Sequence, residues 1–343
     1  MTREAMSRRG FLQTSGFAVA GATGLATLGL PRHALAAGTT LRYGHMNSPT
    51  SINGQQAVWF SEAVKTASGG EVDIQVFPSS QLGSIKELAE GVSTGAVPIS
   101  HNTAGALAPL YAPIAALDTP YLYRDVDHLM KVVDTASPVM EGINKGLIEK
   151  AGVRVLYAFY FGTRQLSANV AAKSPTDLKG VKIRAIPSPI YLTTVEGLGA
   201  VPVPVDWSEV PTALATGVVS GQENPVNVVL DNKLYEVQSH LMLTGHIRAA
   251  ELVVMNEDQY QMLSPKAKEA IAEAADTVRA RASKATLDAE ASDLAALKDK
   301  GMTVIGPDSG LDLAAFKTSV KALVEKKFGD QYGDLYKQIA AVS

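Results

Sequence analysis

The chain has 343 residues, 46% of them hydrophobic and 19% charged, with 34 acidic and 31 basic side chains and a formal charge of −3. That length accommodates two domains with a sizeable core, and the charge balance offers no basic stripe, so no nucleic-acid partner is expected. Cysteine is absent, which excludes disulfides, thiolate zinc sites and iron–sulfur clusters, and no two of the six histidines stand at i, i+4.

The first 37 residues read as a cleaved signal peptide. "MTREAMSRRGFLQ" carries adjacent Arg8 and Arg9, "TSGFAVAGATGLATLGL" is apolar and made of small residues, and "PRHALAAG" offers an Ala-Leu-Ala peptidase site. Ser7 to Gln13 has the form of a twin-arginine signal, with cleavage after Ala36 or Ala37. No later stretch reaches about 18 uninterrupted apolar residues, so the expected destination is the periplasm.

"TTLRYGHM" (39–46) predicts a strand. A helix follows, with Ala57, Phe60, Ala63, Val64 and Ala67 along one stripe and Gly69-Gly70 as its stop. "EVDIQVFPSS" alternates as a strand, "GSIKELAEGVSTG" predicts a short helix, and "AVPIS" a further strand running into "HNTAG". This is the pattern of a parallel α/β unit. Later, "GVRVLYAFYFG" (152–162) is β-rich, and "GVKIRAI" is a strand opened by the turn "PTDLKG". A helix at "SPIYLTTVEGLG" and a proline-rich strand at "AVPVPV" follow, the latter expected at a sheet edge. "DWSEVPTALATG" predicts a helix capped by Asp206 or Ser208. "VVSGQEN" is a strand that meets a helix over 225–235, with Pro225 in its first turn. Ser264-Pro265 opens one helix to about Lys300, about 50 Å long at ~1.5 Å per residue. Helical segments at 311–327 and 330–341 close the chain.

Three polar positions stand out against this frame. Arg164 in "YFGTRQLSAN" follows the β-rich run, Arg184 ends the strand "GVKIRAI", and Asn224 ends "SGQEN". An arginine can take a carboxylate through two parallel hydrogen bonds, which lysine cannot. Ligands in open α/β sheets sit beyond the carboxyl ends of the strands. Read singly, each arginine could instead be a surface ion pair, and Gln222, Glu223 and Asn224 could serve to cap the helix after them.

In order, "GTRQ", "DLKGVKIR", "WSEVPTALATGVVSGQENP" and "LYEV" followed by "LTGH" resemble the DctP-like solute-binding proteins of tripartite ATP-independent periplasmic (TRAP) transporters. "FPSSQLGS" and the long helix after Ser264 fit the same family, and the resemblance covers residues 39–343. It implies an α/β, two-domain periplasmic binding protein with a ligand cleft between the domains and a long helix spanning both. On that reading domain I is 38–161 with 250–289, and domain II is 162–249 with 290–343. The ligand would be a small carboxylate-bearing organic acid, a dicarboxylate, a sugar acid or similar. Arg184 would clamp the carboxylate, Arg164 would be a second cationic contact, and Asn224 would hydrogen-bond the same group. Trp207 would pack on the ligand body. Asn102 stands where the family places a cleft-lining polar side chain, and a loop-capping amide is the alternative there. "AIPSP" after Arg184 is less polar than in sialic-acid-type members, so a sialic acid is not expected. With Trp207 it favours a compact ligand.

The resemblance implies delivery to small and large integral membrane subunits by a monomeric receptor, with no cofactor and no metal. A binding protein of an ATP-driven importer is the nearer alternative and an exported enzyme the more distant one. The chain carries no GxSxG, HExxH, P-loop or strand-borne GxGxxG motif.

Overall fold

The computed structural model describes residues 38–343, so the export signal expected over residues 1–37 lies outside the described residues. Nine strands form one mixed sheet: β1 Thr39–Gly44, β2 Val72–Phe77, β3 Ile99–Thr103, β4 Val153–Ala168, β5 Lys182–Ala185, β6 Val201–Pro204, β7 Gly221–Pro225, β8 His240–Asn256 and β9 Thr303–Ile305. Their order is β2-β1-β3-β8-β4-β7-β5-β6, with β9 beside the start of β8. β1, β2 and β3 run parallel, as do β5, β6 and β7. Between these groups lie β4 and β8, of 16 and 17 residues, antiparallel to each other and to their outer neighbours.

The helix Ile52–Ala67 begins where Ser51 accepts a hydrogen bond from the Gly54 amide, satisfying one of the free N–H groups of a first turn. It buries Ala57, Phe60 and Val64 against the β1–β3 side of the sheet. The proline-rich β6 does lie at the sheet edge, paired with β5 alone, where a missing N–H disrupts no inner ladder.

Several boundaries differ from the sequence reading. β4 does not end at Gly162 but continues to Ala168, so Arg164 lies inside a strand rather than after one. Gly162 marks a register shift against β8, with φ 129°, and a Cβ there would stand 2.6 Å from the Pro225 Cβ. The glycine therefore admits a bulge instead of ending the strand. The helix expected over 225–235 is shorter, Val226–Asp231, and breaks at Lys233, which has φ 52°. The helix expected from Asp206 starts as a 3₁₀ turn, Trp207–Glu209, and continues as Val210–Ala215, with Asp206 accepting from the Ser208 amide. The two C-terminal segments are one helix, Leu313–Ala341. Phe316, Val320, Val324, Phe328 and Tyr332 repeat every four residues on its buried face and carry it through Gly329. The stretch 104–151, unread from sequence, holds short helices, of which Pro138–Ala151 is the longest.

The long helix is Pro265–Asp299, capped by Ser264 with Pro265 in its first turn. Its first half buries Ala267, Ile271, Ala274 and Val278 with Tyr157 and Phe159 of β4. Its last turns place Leu297 in a different cluster, with Val210, Leu214 and Leu241. One helix thus braces the cores at both ends of the sheet, and Glu290 fixes it to β4 midway by accepting from Tyr160 Oη and the Thr163 amide.

Candidate functional site

Five adjacent strands contribute polar side chains to a single cavity: Asn102 and Thr103 from β3, Glu251 from β8, Arg164 from β4, Asn224 from β7 and Arg184 from β5. Trp207 and Asn47 also line it. All five residues singled out in the sequence are therefore brought together.

Close approach of β7 to β4 builds the middle of the site. A Cβ on Gly221 would stand 2.3 Å from the Ser167 carbonyl oxygen, so the glycine of "GQENP" lets the two backbones meet. Register then sets Arg164 near Glu223. Arg164 donates through Nε to Glu223 Oε2 at 2.6 Å and through Nη2 to Oε1 at 2.8 Å and to the Glu223 carbonyl at 2.6 Å. Both residues are fully buried. Burial opposes the Glu223 charge, but Arg164 and the His246 hydrogen bond, at 3.0 Å, hold its pKa at about 2. Burial also opposes the Arg164 charge, and Glu223 outweighs it, so the guanidinium is held above its ordinary value. Arg164 lines the cavity as a cation already balanced from within.

Arg184 is different. It is 1% exposed, its Nε donates to the Val205 carbonyl at 2.8 Å, and its Nη2 is buried without a hydrogen-bond partner. Among the described residues it enters no ion pair. Its guanidinium carbon sits 5.7 Å from the centre of the half-buried Trp207 ring. Burial lowers its pKa to about 10, so it stays charged at neutral pH. A buried, unpaired guanidinium facing a cavity is a costly arrangement for a protein alone and a good receptor for an anion.

Asn224 is held by a chain of side chains. Its Nδ2 donates to Gln222 Oε1 at 2.6 Å, Gln222 Nε2 to Ser167 Oγ at 2.7 Å, and Ser167 Oγ to Gln238 Oε1 at 2.6 Å. None of Gln222, Glu223 and Asn224 caps the helix that follows, since its N-cap is Pro225 with no side-chain bond. Asn102 lies in β3 and not in a loop. It is fully buried, its Nδ2 donates to Ser100 Oγ at 3.3 Å, and its Oδ1 has no partner.

At the other end of the cavity sequence reasoning found Asn102 and missed Glu251 and Asn47. Glu251 is 2% exposed and accepts from Asn47 Nδ2 at 3.1 Å, with His101 Nε2 3.4 Å away. Burial raises its pKa to about 8. His101 is fixed from behind by Tyr43 and Gln56 and stacks on His45, with ring centres 4.7 Å apart. Burial lowers the pKa of both rings, that of His45 to about 4. Asp118, also missed, accepts from the Gly105 amide at 2.6 Å and from Tyr191 Oη at 2.9 Å, and burial raises its pKa to about 6. The signal that could have found Glu251 is its type: one carboxylate inside the apolar strand "RAAELVVM".

Among the described residues no group of three or more His, Cys, Asp or Glu side chains is placed to hold a metal ion. No helix among them is long and apolar enough to cross a membrane.

The family model described as bacterial extracellular solute-binding protein, family 7 (DctP) matches residues 43–331. A solute-binding protein of Roseobacter denitrificans is 33% identical over 289 residues, 84% of this chain and 88% of that one. The 2,3-diketo-L-gulonate-binding periplasmic protein of Escherichia coli is 31% identical over 293 residues, 85% and 88% of the two chains. Among solved structures, a TRAP periplasmic solute-binding protein from Roseobacter denitrificans with bound L-galactonate matches with TM-score 0.82 and 31% identity, covering 88% of this chain and 98% of that one. One from Sulfurospirillum deleyianum with bound succinate matches with TM-score 0.80 and 28% identity, over 89% and 99%.

Proposed function

The chain belongs to the family-7 bacterial extracellular solute-binding proteins, the receptors of TRAP transporters, and from that premise we propose that it captures a small organic acid by its carboxylate and makes or breaks no bond in it. The observation that carries this reading is Arg184, a buried cation with an unpartnered Nη2 at the wall of a cavity. A ligand carboxylate would take its Nη1 and Nη2 in parallel, Nε being given to the Val205 carbonyl. Asn224 Nδ2 carries a second proton beyond the one given to Gln222, and that proton would complete the same carboxylate. Arg164, neutralised by Glu223, would add a donor and hold the site's shape. Trp207 would cover the ligand's body, and Asn102 would meet its far end.

The family membership implies an extracytoplasmic location. We assign residues 1–37 to a removed export signal, and N-terminal mass spectrometry of the exported protein should find Ala37 or Gly38 first. The lobes 38–161 with 250–289 and 162–249 with 290–343 would close over the ligand about β4 and β8. The closed receptor would then hand its ligand to small and large integral membrane subunits. Relatives of this chain bind L-galactonate, 2,3-diketo-L-gulonate and succinate, so the ligand class is an organic acid bearing one or two carboxylates.

Calorimetric titration against a panel of sugar acids, hydroxy acids and dicarboxylates tests the reading. At least one carboxylate should bind, and its amide or methyl ester should not. Binding of the ester as tightly as the acid would remove the carboxylate from the mechanism.

A further inference from the structure

The two ends of the cavity differ in chemistry. At one end Arg184 offers an unneutralised cation. At the other, Asn102, Asn47 and Glu251 present amide and carboxyl groups with no cation of their own to spare. Arg184 on β5 and Glu251 on β8 are three strands apart, about 14 Å between backbones at ~4.8 Å per strand. The cavity therefore runs across these strands, with Arg184 and Glu251 both in its wall.

We propose that Asn102, Asn47 and Glu251 form a hydroxyl-recognising end of the cavity, which makes the ligand a polyhydroxy monocarboxylate rather than a dicarboxylate. This rests on the reading that Arg184 holds the carboxylate. Asn102 Oδ1 is a fully buried acceptor with no partner. A hydroxyl can donate to it and a carboxylate cannot. Glu251 Oε2 already takes one N–H from Asn47, and its carboxyl group is suited to exchange hydrogen bonds with a hydroxyl, which both donates and accepts.

A second ligand carboxylate would fare badly there. Buried charge requires a partner of opposite sign. Arg164, whose charge reaches Glu251, is already held by both oxygens of Glu223. His101, the ring nearest Glu251, is buried against His45 and disfavours protonation. Asp118 adds further negative potential on this side. Burial raises the Glu251 pKa to about 8, which favours its neutral carboxyl form and suits an uncharged polar group.

The test compares L-galactonate, its unhydroxylated counterpart hexanoate, and succinate, titrated calorimetrically against wild type, Asn102→Ala, Glu251→Leu and Arg184→Ala. Wild type should prefer L-galactonate over both hexanoate and succinate by about 100-fold or more, because a site built for hydroxyl groups strands its own polar atoms without them. Asn102→Ala and Glu251→Leu should each cut the galactonate-to-hexanoate preference by about tenfold or more, whereas Arg184→Ala should weaken all acids together. Asn102→Ala removes an oxygen that has no partner, so it carries the test if Glu251→Leu does not fold. Succinate binding as tightly as galactonate, or an unchanged preference in Asn102→Ala, overturns the inference while leaving the carboxylate clamp standing. Failure of Arg184→Ala to weaken any acid overturns the clamp and this inference with it.

Discussion

Replacing Arg184 by methionine should move stability and binding in opposite directions. In the unliganded protein the guanidinium is buried and unpaired, and its pKa falls below the ordinary arginine value to about 10 because burial disfavours the charge. At about 1.4 kcal/mol per pH unit that fall corresponds to roughly 3 kcal/mol held against the folded state at neutral pH. The sign follows from the depressed value of a base: the unfolded chain keeps the proton more firmly, so the penalty is full below about pH 10 and fades as pH rises toward the ordinary arginine value. Methionine removes the charge and fills much of the space. Against that gain stand the lost bond to the Val205 carbonyl, about 1 kcal/mol, and the contact with Trp207, about 0.5–1 kcal/mol. The unliganded Arg184→Met protein should thus be more stable by about 1–2 kcal/mol, a melting temperature higher by roughly 2–4 °C per kcal/mol. Ligand binding should weaken by about 2–5 kcal/mol, since the ligand's charge loses its buried partner, which is roughly 30- to several-thousand-fold. Thermal unfolding with and without ligand reads both effects in one assay. Wild type should gain stability on adding ligand, and Arg184→Met should start higher and gain little. A variant that melts lower than wild type and keeps its affinity within threefold would show that Arg184 is a structural residue and refute the reasoning.

Glu223→Gln should cost about 3–5 kcal/mol of folding stability, because it strands the buried Arg164 charge rather than removing the pair; urea denaturation checks this, and a loss under 1 kcal/mol would show that another group neutralises Arg164. Glu251 behaves oppositely. Its folded pKa, about 8, lies above the ordinary carboxylate value, so the folded state binds the proton more tightly and stability is lost as pH rises from about 4.5 to 8. Asn47, His101, Arg164 and Asp118 are the polar and charged groups that act on it. Glu251→Gln should therefore stabilise the unliganded protein by on the order of 2–4 kcal/mol more at pH 8 than at pH 4.5, measured by denaturant titration at the two pH values. An equal effect at both would show that Glu251 ionises normally.

The arginine end of the cavity was legible because each of its parts sits in a short local motif. "KIRA" is a four-residue strand whose arginine must face one side or the other, and "GQENP" places an amide beside a strand end. Such motifs announce themselves against apolar flanks, and the resemblance gathered them into one cleft. The pairing of Arg164 with Glu223 was not legible, because it depends on register. Only when β4 runs on past the Gly162 bulge does Arg164 come opposite Pro225, next to Glu223. A sequence that reads Gly162 as a stop loses that partner and leaves Arg164 looking as available as Arg184. The hydroxyl-recognising end was hidden more deeply. The antiparallel pairing of β3 with β8 sets Asn102 opposite Leu252 and Thr103 opposite Glu251, and Asn102 and Glu251 both line the cavity. Neither strand carries a local sign of the other, and a single carboxylate in an apolar strand predicts only that something must satisfy it. Long-range pairing, not local chemistry, brings these groups to the cavity wall. The arginines stand in contiguous motifs, and the groups proposed to choose among carboxylates come from strands distant in the chain. Solved structures similar to this chain hold acids as different as L-galactonate and succinate, so the shared fold does not by itself choose between them.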